Sequence, residues 1–157
     1  MIVDKSLSKA KFEKETSSLV SNPEQYAKTG LRLLRIEFPI LEVALWWRKH
    51  EREILLRVIA EDYNYLPIYG YWIDQNGSPL RKGSGRVPID LGFHVEDSHP
   101  HNLQRSWFCF KGWREYHDHE SHQDIAWPSL RDNKQYRMMN LILQLLSDLN
   151  RPGVNAI

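Results

Sequence analysis

Three consecutive segments of the chain alternate between apolar and polar residues with a period of two. They cover residues 34–38, 41–47 and 54–60, and this period is typical of strands that bury one face. Short polar turns such as residues 48–51 separate them, and these are too short for the crossover helix that parallel strands require. The pattern therefore predicts an antiparallel meander.

A helix is predicted before the meander and a fourth strand after it. Residues 6–20 have the weak amphipathic pattern of a helix that ends at Asn22-Pro23. Residues 69–73 are expected to add the fourth strand. The apolar positions of the helix are Leu7, Phe12, Leu19 and Val20.

The strongest helical pattern covers residues 132–150. Asp132 is expected to cap its start, and Pro152-Gly153 to end it. Residues 74–131 between the fourth strand and this helix have little periodicity and many turn-forming residues. The order of elements predicts an α+β fold in which helices pack on an antiparallel sheet. The apolar row of the helix contains Met138, Ile142, Leu145 and Leu149.

Composition limits the classes of partner and location. The length of 157 residues fits one domain over residues 1–157. The 21 basic and 20 acidic residues nearly cancel, which argues against nucleic acid or an anionic membrane as a partner. Residues 1–18 contain no apolar run long enough for a signal peptide or membrane span. A cytoplasmic location is expected, and a single cysteine fits that reducing compartment.

The single cysteine, Cys109, lies between aromatic residues and close to several histidines. His99 precedes it by ten residues, and His117, His119 and His122 follow it. Unpaired cysteines are among the most buried residues, which favours a core position. The neighbouring histidines and polar residues favour a nucleophile or a metal ligand instead.

The sequence around Cys109 resembles that of the ubiquitin-conjugating enzymes, and in particular their divergent bacterial members. In that family a His-Pro-Asn motif precedes the catalytic cysteine. Here His99-Pro100 begins the motif, His101 replaces the asparagine eight residues before the cysteine, and Asn102 is adjacent. Trp127-Pro128, ahead of the last helix, is similar to the Trp-Ser-Pro stretch of the family.

The resemblance implies both a fold and an activity. The fold would be ubiquitin-conjugating-like, with an N-terminal helix, a four-stranded meander, an irregular active-site segment and a C-terminal helix. The activity would be that of a transferase that needs no cofactor. It would accept a ubiquitin-like protein from a ubiquitin-activating-type enzyme as a Cys109 thioester, and pass it to an amine of a protein target. The bacterial relatives imply a role in defence against phage.

The resemblance also implies roles for four further residues. His101 or Asn102 would donate a hydrogen bond to the oxyanion of the tetrahedral intermediate. His117, eight residues after Cys109, would accept the proton of the attacking lysine, since histidine titrates near neutral pH. His99 would hold the loop.

Two other functions remain open at the level of sequence. Cys109, Glu115, His117 and His119 offer the ligand types of a metal such as zinc. The last three alternate and would face one way on a strand. The chain is also compatible with an inactive variant that only binds a ubiquitin-like protein.

Overall fold

The computed structural model describes residues 3–118 and 125–157. Over these residues the chain is α+β, and an antiparallel sheet in the order β1-β2-β3-β4 confirms the predicted meander. The helices are α1 (Lys5–Ser21), α2 (Pro23–Thr29) and α3 (Met138–Leu149), and the strands of the sheet are β1 (Leu31–Glu37), β2 (Ile40–Trp47), β3 (Arg52–Ile59) and β4 (Tyr69–Ile73). Four two-residue strands follow, which are β5 (Pro88–Ile89), β6 (Phe93–His94), β7 (Trp107–Phe108) and β8 (Asn155–Ala156).

The first helix matches the predicted span but buries a different face. Phe12 and Leu19 are buried as expected, whereas Leu7 and Val20 are each 54% exposed. The prediction was wrong for these two, because small polar residues fill the other positions of the buried stripe at helical spacing. The buried stripe consists of Ser8, Phe12, Thr16 and Leu19.

Pro23 begins a helix that the sequence pattern did not indicate. α1 ends at Ser21 as predicted, but Pro23 then occupies the first turn of α2. Proline is favoured there, because its fixed φ suits a helix and its missing N–H would have no partner within the helix.

The last helix begins six residues later than the sequence pattern predicts, and Asp132 does not cap it. Residues Lys134–Tyr136 form a separate 3₁₀ turn capped by Asn133. The first amide of α3 is capped from α1, where the Glu15 carboxylate accepts the Met138 N–H at 2.8 Å. A partner this distant in sequence fixes the start of the helix.

The apolar row of α3 is buried as predicted and packs against α1 and β2. This contact joins the helices to the inner face of the sheet. The described residues include no helix with both the length and the apolar character needed to cross a membrane.

Substitution of two leucines of α1 tests which face of this helix packs into the hydrophobic core. Leu19→Ala should lower the free energy of unfolding by about 2–5 kcal/mol, because it empties a fully buried site. Leu7→Ala, on the exposed side of the same helix, should change it by no more than about 0.5 kcal/mol. Urea denaturation of the two variants measures both values, and equal losses would contradict the assigned face.

Candidate functional site

The backbone of Cys109 is fixed by a short strand pair. β7 pairs with β6, and the Cys109 N–H extends this pairing by donating to the Gly92 carbonyl at 2.8 Å. Gly92 has φ +101°, and a Cβ at that position would lie 2.6 Å from the Phe110 ring. Glycine is therefore required where the chain turns to meet Cys109.

Buried contacts fasten the same segment to β4. The hydroxyl of Ser106, which is fully buried, accepts the Trp72 N–H at 3.0 Å. The Phe108 ring packs edge-to-face between Trp72 and Trp113, with centroid distances of 5.2 and 5.1 Å. Cys109 thus directly follows the anchored Phe108 and lies three residues after the anchored Ser106, while its own side chain is partly exposed.

His99 is buried and holds two parts of the site together. Its Nδ1 accepts the His101 backbone N–H at 3.1 Å, so Nε2 carries the proton that is donated to Asp118 at 3.2 Å. Its ring packs edge-to-face on Trp107 at 5.0 Å. His99 therefore fixes the turn that follows it and links that turn to Asp118.

The environment of Cys109 favours the neutral thiol. Partial burial raises the pKa of this thiol, and the negative charge of Asp118 raises it further. Both effects oppose the thiolate, because one removes water and the other places a like charge nearby. Asp118 is therefore linked to both His99 and Cys109.

His101 and Asn102, the predicted oxyanion donors, both have exposed side chains. The Asn102 N–H donates to the His99 carbonyl at 3.0 Å, and its φ of +46° lies in the left-handed region. Asparagine tolerates that region better than most residues. The structure fixes the backbone of this turn, and the roles of the two side chains stay predictions.

His117 is held by backbone groups at both ring nitrogens. Its Nε2 accepts the Gly112 N–H at 3.0 Å, and Nδ1 donates to the Ile125 carbonyl at 3.1 Å. To accept a proton from an attacking amine, Nε2 would first have to release the Gly112 amide. The predicted base therefore also joins the two ends of the segment that contains His119 and His122, which lie outside the described residues.

Glu115, one of the four residues considered for a metal site, pairs with an arginine. Its carboxylate is buried, and Oε1 lies 2.5 Å from Nη1 of Arg105. Burial raises the pKa of Glu115, and the Arg105 guanidinium opposes that shift. Residues 3–118 and 125–157 contain no group of three side chains of the metal-binding types arranged to hold an ion. His119, the fourth residue of the proposed set, lies outside those ranges.

The main residue that the sequence analysis missed is Asp118. In the sequence it lies between His117 and His119, and no spacing rule connects it with His99 or Cys109. The connection exists only because the fold brings residues 99, 109 and 118 together.

Comparisons with known proteins assign no family. No protein-family model matches the chain, and no curated protein matches its sequence.

Removing the Asp118 charge should make Cys109 more reactive at neutral pH. Asp118→Asn keeps a side-chain oxygen that can accept the His99 Nε2–H, but it removes the like charge that raises the thiol pKa. We expect the pH midpoint for alkylation of Cys109 by iodoacetamide to move down, while burial still keeps it above that of an exposed cysteine.

The matched control is Asp132→Asn, an exposed aspartate that is not among the charges acting on Cys109. It should leave the alkylation profile unchanged. An unchanged midpoint in Asp118→Asn would contradict the assigned electrostatics.

Proposed function

We propose that this protein is a ubiquitin-conjugating-type transferase that carries a ubiquitin-like protein as a thioester on Cys109. The observation that carries the proposal is the setting of the thiol. It is partly exposed, it lies on an anchored loop, and its pKa is raised rather than lowered.

A raised pKa suits an acyl carrier better than a cysteine hydrolase. Hydrolytic cysteines are activated by a neighbouring imidazolium or a helix N-terminus, which lowers the thiol pKa. A thiol of higher pKa is the stronger nucleophile once ionised and the poorer leaving group. A thioester on Cys109 would therefore lose its acyl group slowly to a weak nucleophile such as water, and an amine, as the stronger nucleophile, would be the effective acceptor.

The order of the elements gives independent support. A helix precedes a four-stranded antiparallel sheet, and Cys109 lies in the segment between that sheet and α3. The His99-Pro100 motif precedes the cysteine in the same segment. These features are those expected of a ubiquitin-conjugating-like fold, which we include in the proposal.

In the proposed transfer, the lysine amine attacks the thioester carbonyl and the C–S bond breaks. The products are an amide and the Cys109 thiol, which takes up the proton that the amine loses. The Asp118 carboxylate attracts the cationic lysine towards the thiol, since its charge already acts on Cys109. We assign hydrogen bonding to the oxyanion to His101 or Asn102. His117, when its bond to Gly112 opens, would accept the first proton of the cationic lysine, and the neutral amine that then attacks gives its second proton to the departing thiolate.

The partners follow from this chemistry. A ubiquitin-activating-type enzyme would supply the ubiquitin-like protein, and a protein target would receive it. We place the reaction in the cytoplasm, where thiols stay reduced, and a defence pathway against phage is part of the same proposal.

Loading of Cys109 tests the proposal. With a ubiquitin-like protein, its activating enzyme and ATP, the wild-type protein should gain an adduct that a thiol reductant removes. Cys109→Ala should gain none, and Cys109→Ser should form an ester that resists the reductant. Intact-protein mass spectrometry before and after reduction measures all three.

A relocated cysteine is the control for simple thiol reactivity. The double variant Cys109→Ala, Ser17→Cys carries its thiol on the exposed side of α1 and should not be loaded. Loading of this variant, or no loading of the wild type, would contradict the proposal. Binding of the ubiquitin-like protein without an adduct would point to an inactive binding variant instead.

The same assay separates loading from discharge. His101→Ala should load normally and pass its cargo to free lysine on the order of 100-fold more slowly, if His101 is the oxyanion donor. Asn102→Ala should show the defect instead if the amide is the donor. If neither variant slows discharge, the assignment of the oxyanion to this turn is wrong.

A further inference from the structure

The outer face of the sheet carries a groove that the Cys109 chemistry does not use. Residues of β1, β2 and β3 form its floor, and the loop after β4 forms one wall. Its volume of about 680 Å³ falls within the range of ligand-binding clefts. The charged residues that line it are Arg32, Arg35, Arg52, Arg57, Arg86, Glu42, Glu53 and Asp74.

Three of the five arginines already have carboxylate partners. Arg32 pairs with Glu53 at 2.8 Å, and Arg57 with Glu42 at 2.8 Å. The third pair joins Arg35 to the exposed Glu37 at 3.0 Å.

Asp74 is also satisfied, because its carboxylate accepts the N–H groups of Asn76 and Ser78 in a turn. Each of the three described carboxylates that line the groove therefore already has an arginine or backbone N–H partner, and none requires a bound cation.

Arg52 and Arg86 differ from the other three arginines of the groove in their hydrogen-bond partners. Within the described part of the chain, no carboxylate pairs with either of them. Arg52 donates to the Gly85 carbonyl at 3.3 Å, and the Arg86 side chain is exposed. The planar guanidinium group matches a carboxylate through two parallel hydrogen bonds.

The floor between these charges is partly apolar. A β-bulge between Leu33 and Arg35 places an extra residue in β1, and Leu34 is left 39% exposed at the groove. Leu55 and Leu80 line the same groove. The surface therefore offers apolar contact next to two guanidinium groups that no carboxylate of residues 3–118 and 125–157 pairs with.

We propose that this groove binds an acidic polypeptide segment of a partner protein, one that carries an apolar side chain between its carboxylates. The carboxylates would pair with Arg52 and Arg86, and the apolar side chain would cover Leu34 and Leu55.

Nucleic acid fits the groove less well. Single-stranded nucleic acid is bound by aromatic side chains on which bases stack. Among the described residues that line the groove, none is aromatic.

The groove is separate from the Cys109 chemistry, so the Cys109→Ala variant should bind the acidic segment as the wild type does.

The test uses a labelled synthetic peptide of alternating glutamate and leucine, with fluorescence anisotropy as the readout. The peptide should bind the full chain, and binding should weaken as salt is raised. The double variant Arg52→Gln, Arg86→Gln should lose at least about tenfold in affinity, because two charge-assisted pairs are removed. Glutamine keeps a donor at each position, so the variant should melt at the wild-type temperature.

The control double variant Arg48→Gln, Arg151→Gln removes the same charge at exposed positions outside the groove. It should change affinity by less than about twofold, the small effect expected of distant screened charges. A peptide in which serine replaces leucine should bind the wild type more weakly, and this comparison needs no change in the protein. Equal losses in the two double variants, absence of binding, or stronger binding of inorganic phosphate or single-stranded RNA would overturn the proposal.

Discussion

Ser106 holds the Cys109 segment to the sheet. Residues 74–137 run from β4 to α3, and their backbone groups must be satisfied without a described α-helix. The buried Ser106 hydroxyl accepts a hydrogen bond from the Trp72 N–H of the edge strand β4. The Gly92 carbonyl accepts a hydrogen bond from the Cys109 N–H. These two hydrogen bonds fix the position of the irregular segment that carries the Cys109 thiol. The Phe108 ring packs against Trp72 of the same strand β4 and adds to this anchoring.

The same anchoring determines the electrostatics of the site. Because the loop is fixed, Cys109 stays partly buried and the Asp118 charge stays close to it. His99 couples the two regions, since its ring bonds to the His101 backbone on one side and to Asp118 on the other. Partial burial and the Asp118 charge both raise the pKa of the thiol and so favour its protonated form at neutral pH. A raised thiol pKa is the opposite of the lowered pKa of cysteine hydrolases, and the proposed function uses this difference.

The parts of this molecule that follow local rules could be predicted, and the parts fixed by distant contacts could not. Periodicity and short turns predicted the meander over residues 34–60, though not the bulge that leaves Leu34 exposed, and periodicity predicted the buried face of α3. Asp132 was the wrong cap because Glu15, more than a hundred positions away, supplies the cap. Asp118 was missed because only the tertiary fold brings it to Cys109. Glu115 was considered as a ligand because of its residue type and spacing, and its pairing with Arg105 is equally invisible in the sequence.

The most direct test of the carrier account is the fate of an acyl group placed on Cys109 without any partner enzyme. A peptide with a C-terminal Gly-Gly thioester can be exchanged onto the thiol, and mass spectrometry then follows the loss of the adduct at neutral pH with and without free lysine. The account predicts a thioester that persists in buffer and is released as a lysine amide when the amine is added. Rapid hydrolysis to the free acid that lysine does not divert would contradict it.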